Sequence, residues 1–122
     1  MPLNNRQIAQ VAHEAIRAYE EARGADGFAR WGDMHRVYQD NFEQLVDYMR
    51  VVGNLDGPAG TWHAMLRLSL CHCTGTFDEV HESYQEHVFI ARGVVTALTG
   101  WIEPRQDPVL PAIHQMRDAL KW

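Results

Sequence analysis

The stretch TFDEVHESYQEHVFIARGVVTALTGW, residues 76–101, is the longest part of the chain whose apolar residues recur with the period of a helix. They follow one another at steps of three and four, which places them along one stripe: Phe77, Val80, Tyr84, Val88, Ala91, Val95 and Leu98. Thr76 with Glu79 has the form of a capping box, and Gly100 is placed to end the helix. The stretch therefore predicts a long buried helix, in which Gly93 marks the close approach of another helix.

Three further segments keep the same helical period. The first is capped by Asn4 or Asn5 and stopped by Gly24, the second runs from Asp33 to Gly53, and the third has Thr61 as its N-cap. Phe28 and Trp31, in the turn after the first helix, are expected to fold back onto the core.

The C-terminal part differs in composition, because prolines at 104, 108 and 111 forbid a continuing helix and Pro111 opens a short final one. No segment alternates with period two for long enough to predict a strand. We therefore predict an all-α fold, a compact single-domain bundle of about five helices. Its core spans about 5–101, and a Pro-rich link and short C-terminal helix occupy 102–122.

Charge and composition exclude several classes of function and location. Sixteen acidic and eleven basic residues give a net charge of −5, whereas nucleic-acid binding rests on a basic face that releases counterions from phosphates. No apolar run approaches the ~20 residues that span a bilayer, and the N-terminus lacks the pattern of a signal peptide. The prediction is a cytoplasmic protein that binds neither nucleic acid nor membrane.

Histidines, cysteines and acidic residues are the side chains that could bind a metal ion or cofactor. Cys71, Cys73, His81 and His87 are the nearest candidates for a zinc site, but their spacing fits no zinc pattern, so we predict no metal and no cofactor. Two acidic ridges repeat at helical spacing, and facing each other they would hold Mg²⁺ as in a nucleotide pyrophosphohydrolase: Asp40, Glu43 and Asp47, and Glu79, Glu82 and Glu86. Their alternative role is a solvated helix face.

The pair His13–Glu14 invites a catalytic interpretation as well. No second histidine stands at the spacing of a zinc protease, so we predict instead a polar contact from the first helix to a neighbouring loop.

Three segments together resemble the ryanodine-receptor-type (RyR) repeat as it occurs in small bacteriophage and bacterial proteins. IAQVAHEAIRAYEEA at 8–22 is similar to its opening helix, with His13, Glu14 and Arg17 matching. TWHAMLRL at 61–68 and FDEVHESYQEHVFIARGVVTAL at 77–98 resemble its later helices. The Gly-Trp-x-Tyr-Gly segment and Lys-rich stretch of the repeat are missing, and CHCTG stands in their place.

The resemblance implies a small non-enzymatic protein that binds or senses a nucleotide-like ligand. The contacts would come from the first and fourth helices, through His13, Arg17, His87 and Trp101. An alternative is an acidic inhibitor that offers a negative face to a host or defence protein. The Mg-dependent pyrophosphohydrolase is third, and Trp122 with the Pro-rich tail leaves apolar surface that a homodimer would cover.

Overall fold

The computed structural model describes residues 3–25, 27–52, 57–71 and 74–100. Four α-helices lie in these ranges: α1 (Asn5–Ala22), α2 (Arg36–Val52), α3 (Gly57–Arg67) and α4 (Glu82–Thr99). A single 3-10 turn, Trp31–Asp33, precedes α2, and no strand occurs among the described residues, so the all-α prediction is confirmed. The predicted fifth helix, the Pro-rich link and Trp101 lie outside the described residues.

Helix α1 forms where its sequence predicts. The Asn4 side chain accepts a hydrogen bond from the Gln7 amide at 2.8 Å, and the Gln7 side chain accepts one from the Asn4 amide at 2.9 Å. This reciprocal pair satisfies two amides that the first turn leaves without partners. Gly24, at a φ of +89°, follows the end of the helix in a conformation that glycine adopts without strain.

Helix α1 is the centre of the bundle, because it packs against both α2 and α4, while α3 packs mainly on α4. Ile8, Ala9, Ala12 and Ile16 supply the buried face of α1. The rest of the buried apolar core comes from the turn before α2 and from the other helices: Trp31, Phe42, Leu45, Val46, Met49, Trp62, Ala64, Met65, Val88, Ala91 and Val95. Trp31 and the partly buried Phe28 therefore fold back onto the core as predicted.

Three predicted helix starts are wrong. Asp33 belongs to the 3-10 turn, so α2 begins at Arg36. Thr61 lies inside α3, which begins at Gly57, because its buried hydroxyl bonds back to the Gly57 carbonyl at 3.4 Å and accepts from Arg92 at 2.5 Å. Thr76 and Glu79 close only one turn, in which the Thr76 amide donates to the Glu79 carboxylate.

Helix α4 is therefore shorter than its sequence pattern. It begins at Glu82, where the His81 ring nitrogen Nδ1 accepts from the Ser83 amide at 3.0 Å, and it ends at Gly100 in the left-handed conformation, as predicted. Val88, Ala91 and Val95 form its buried face, but Leu98 is 39 % exposed. No described residue lies within 4 Å of a Cβ built on Gly93, so the predicted close packing there is wrong for this part of the chain.

Candidate functional site

His13 and Glu14 hold the loop that follows α1. His13 is fully buried, with Nε2 2.7 Å from the Ala29 carbonyl oxygen and Nδ1 2.8 Å from the Tyr38 hydroxyl. A carbonyl only accepts, so Nε2 carries the proton, and the neutral ring accepts at Nδ1 from the Tyr38 hydroxyl. Glu14 accepts from the Trp31 amide at 2.8 Å. The predicted polar contact between this pair and a neighbouring loop is confirmed.

Burial controls the protonation of this cluster. Loss of solvation lowers the pKa of His13, and the opposing effects of the Ala29 carbonyl and the Glu14 carboxylate are smaller. Burial likewise raises the pKa of Tyr38. The hydrogen bond from the Trp31 amide lowers the pKa of Glu14, and the Arg17 guanidinium adds to that effect. The three side chains therefore form a neutral imidazole, a neutral phenol and a carboxylate.

A buried hydrogen bond joins α1 to α4 at the other end of α1. The Glu20 Oε2 atom lies 2.5 Å from His87 Nε2, and both side chains are nearly inaccessible. Arg23 also donates to both oxygens of Glu20, at 3.2 and 3.4 Å. The rings of Tyr19, Phe28 and Tyr84 lie around His87, with centroids 5.7 to 6.0 Å from its own. The pair is therefore enclosed by aromatic rings where α1 packs against α4.

The residues predicted to contact a ligand are only partly brought together. His13 and His87 both contact the Phe28 ring, with centroid distances of 5.6 and 6.0 Å. Arg17 is held between two carboxylates of its own helix, Glu14 at 2.8 Å and Glu21 at 2.6 Å. Trp101 lies outside the described residues. Both ring nitrogens of His13 and two nitrogens of Arg17 thus already have partners inside the protein.

The candidate metal ligands are dispersed. His81 caps α4, His87 is paired with Glu20, and Cys71 packs at the edge of the core. Cys73 is outside the described residues. Within the described ranges, no three histidine, cysteine or acidic side chains come together in a group that would hold a metal ion.

The two acidic ridges do not face each other. Arg6 of α1 pairs with Asp40 and, at 3.1 Å, with Glu43, while the Asn5 amide donates to Asp47 at 3.2 Å. The ridge of α2 is therefore turned towards the N-terminus of α1. The acids at the start of α4, Asp78, Glu79, Glu82 and Glu86, make no ion pair with any described cation.

Helix α2 carries an exposed apolar line opposite its buried face. Val37, Tyr48 and Val51 are 56, 45 and 76 % exposed, and the exposed Gln44 lies between them. The positions 37, 44, 48 and 51 differ by seven, four and three residues, so they share one side of the helix. We call these four residues the α2 seam. Asp40 and Asp47, both exposed, border it on the side of α1.

The outer side of α4 changes character along its length. Glu82 and Glu86 occupy its first half, and Phe89, Gly93 and Ala97 continue the same side at steps of three and four. Phe89 is 47 % exposed and its ring stands edge-on against Phe77, with centroids 5.8 Å apart. We call Phe89, Gly93 and Ala97 the α4 patch. Between His87 and Gly100 the only Asp, Glu, Lys or Arg is Arg92, which is buried, so the patch bears no charge.

The exposed residues of α2 are hard to distinguish from its core residues in the sequence. Val37 and Val51 fit the apolar pattern of α2 as well as its core residues do, so a hydropathy pattern alone does not separate them. Heptad spacing does not separate them either, because the buried Phe42 and Met49 are also seven residues apart. The His13–Tyr38 bond has no sequence signal, because it depends on how α1 and α2 pack.

Comparison of the chain with protein-family models, with curated proteins and with solved structures finds no match. The resemblance to the RyR repeat stays a prediction that rests on its three segments. No described helix combines the length and the apolar character that crossing a bilayer requires.

Proposed function

We propose that the protein is a small, non-enzymatic, cytoplasmic binding module that captures a basic amphipathic helix of a protein partner on the α2 seam. The observation that carries the proposal is the exposure of Val37, Tyr48 and Val51 along one side of α2, next to an acidic border. This is the second of the functions that the sequence suggests, an acidic protein that binds another protein.

The spacing of the seam suits a helical partner. Residues at alternating steps of three and four form the contact line of paired helices, where side chains of one helix enter gaps between those of the other. From Val37 to Val51 the seam is about 21 Å long, at 1.5 Å per residue. About four turns of a partner helix would cover it, and Tyr48 would supply the large rigid contact that anchors such interfaces.

The charge beside the seam selects the partner. The side-chain amide of Asn5 donates to Asp47 and its oxygen accepts from Arg50, while Asp40 and Glu43 share Arg6. Three carboxylates therefore stand against two guanidinium groups, and these five residues keep a net charge of −1. A second copy of the chain, packed antiparallel by two-fold symmetry, would set the same acidic border against itself. A helix with Lys or Arg along its edge would instead gain favourable contacts with Asp40 and Asp47.

The other functions have less support from the geometry. A nucleotide-like ligand at His13 and Arg17 would have to displace hydrogen bonds that hold the 27–33 loop and α1. A magnesium-dependent reaction would need the two acidic ridges to converge, whereas the α2 ridge is paired with Arg6 and Asn5. The seam requires no such rearrangement, because its residues are already exposed.

The test uses two synthetic helical peptides of about 18 residues, or five turns. Both carry the same leucine seam, and their edges carry lysine in one peptide and glutamate in the other. Fluorescence anisotropy should show binding of the lysine peptide alone, and the affinity should fall as salt is raised from 50 to 500 mM, because added salt shortens the range of charge interactions. Val51→Asp should abolish binding, and Phe89→Asp on α4 is the matched control that should leave it unchanged.

A charge reversal makes the test sharper. Asp47→Lys should weaken the binding of the lysine peptide and allow the glutamate peptide to bind, since the border would then carry the opposite charge. Equal binding of both peptides, or binding that survives Val51→Asp, would refute the proposal. Circular dichroism of each variant checks that the helices remain formed.

A further inference from the structure

The α4 patch is another exposed apolar surface among the described residues, and it differs from the α2 seam in having no acidic residues along its flank. Its neighbours along the same side, Glu82 and Glu86, lie towards the N-terminal end of α4 only. In a protein of net charge −5, association of two identical molecules is favoured where no acids are brought together. The uncharged end of α4 is such a place.

We infer that the α4 patch binds a second copy of the chain, with the two α4 helices packed antiparallel about a two-fold axis at Gly93. A two-fold interface uses the same surface on both molecules, so residues whose numbers sum to a constant face each other. With Gly93 opposite Gly93 of the second copy, Phe89 faces Ala97 of that copy, and Ala97 faces its Phe89. The large ring thus meets a small side chain on both sides of the axis.

Gly93 gives this arrangement a physical reason. A glycine inside a helix destabilises it relative to alanine, and no described residue packs against this one. Two helices come closest where the residues at their crossing are smallest. A glycine at the axis lets the two backbones approach, which brings each Phe89 ring into contact with the facing helix.

The antiparallel direction follows from the acids. Glu86 lies seven residues from Gly93, so the two Glu86 positions of the dimer are about 21 Å apart along the helices. That separation exceeds the ~8 Å screening length at physiological salt. A parallel pair would place Glu82 and Glu86 directly beside their counterparts. The patch is small compared with the ~800 Å² per molecule of standard interfaces, so the dimer should be weak.

Sedimentation equilibrium of the full chain across a range of concentrations tests the inference. The wild-type protein should pass from monomer to dimer as its concentration rises, and Phe89→Asp should remain a monomer throughout. Val51→Asp, on the α2 seam, is the matched control and should dimerise like the wild type.

Gly93→Leu separates association from folding. The leucine should block the crossing and keep the chain monomeric, yet raise the melting temperature of dilute protein by about 3 °C, because leucine favours a helix more than glycine does. A monomeric wild-type protein at every concentration would overturn the inference. So would a dimer that survives Gly93→Leu, or a lower melting temperature in that variant, which would mean that the chain's own residues cover the patch.

The register is tested by cross-linking in a background with Cys71→Ser and Cys73→Ser. Under mild oxidation Gly93→Cys should form a disulfide-linked dimer, because position 93 meets itself at the axis, and Glu82→Cys should not. Cross-linking at both positions would indicate a parallel pair and overturn the antiparallel arrangement.

Discussion

The buried pair of Glu20 and His87 should be strongly coupled, and a double-mutant cycle would measure this. Both side chains are about nine-tenths buried and their atoms are 2.5 Å apart. Removing one partner of a buried hydrogen bond costs about 1–3 kcal/mol, because the other group remains buried and uncompensated. Arg23 still bonds Glu20 from a partly exposed position, so we expect His87→Phe to cost about 2 kcal/mol, in the middle of that range.

Replacing both residues gives the decisive comparison. Glu20→Leu alone should also cost about 2 kcal/mol, but the double variant buries two apolar groups and leaves neither polar group without its partner, so it should cost far less than the sum. We expect a coupling energy of at least about 2 kcal/mol. Urea unfolding monitored by tryptophan fluorescence measures these values, because Trp31 and Trp62 are buried in the core.

The matched control is the pair of Arg17 and Glu21, four residues apart on the same helix and much more exposed than the buried pair. Its coupling should be only about 0.3–0.5 kcal/mol. If the losses of unfolding free energy in the two single variants summed to the loss in the double variant within about 0.5 kcal/mol, Glu20 and His87 would act independently. The account of how α1 is joined to α4 would then be wrong.

Three further outcomes are expected. Burial lowers the pKa of His13 in the folded protein, so the unfolded chain binds a proton first as the pH falls below about 6.5. The free energy of unfolding, measured in urea, should therefore decrease from pH 7 to pH 5. The decrease should be smaller in His13→Gln. Tyr38→Phe should cost about 1–2 kcal/mol in the same assay, since His13 Nδ1 loses its donor, and no loss would contradict the assigned tautomer. A thermal-shift screen with nucleotides should show no stabilisation. A ligand that did bind would add about 2.7 kcal/mol to the free energy of unfolding at 100 times its Kd. A thermal shift that Arg17→Ala abolishes would establish the nucleotide site instead.

The helices were predictable where one face is apolar and the ends carry standard signals. Asn4 and the glycines at 24 and 100 act as the sequence suggests, because capping depends on a few neighbouring residues. The start of α3 was not predictable in this way. Its GPAG beginning has the composition of a loop, and tertiary packing of Thr61 against Arg92 overrides that local preference.

The prediction of where α4 begins failed for a different reason. Phe77 and Val80 continue the apolar period of the helix and pack against the core, yet they belong to a separate turn. Periodicity reports which residues face the core and does not detect a break in the backbone between them. The site residues depend still more on packing, since the partner of His87 is 67 positions away and the acidic ridge of α2 is paired with α1.

The loop after α1 is held through its backbone, and this has a consequence for how its sequence can change. His13 binds the carbonyl of Ala29, Glu14 binds the amide of Trp31, and Gln39 binds the Trp31 carbonyl. Every residue has these backbone groups except proline, which lacks the amide, so the hydrogen bonds do not depend on the side chains at 29 and 30. Arg30 is also exposed, so it is the position at which new side-chain chemistry can be introduced without loss of the contacts that hold the loop.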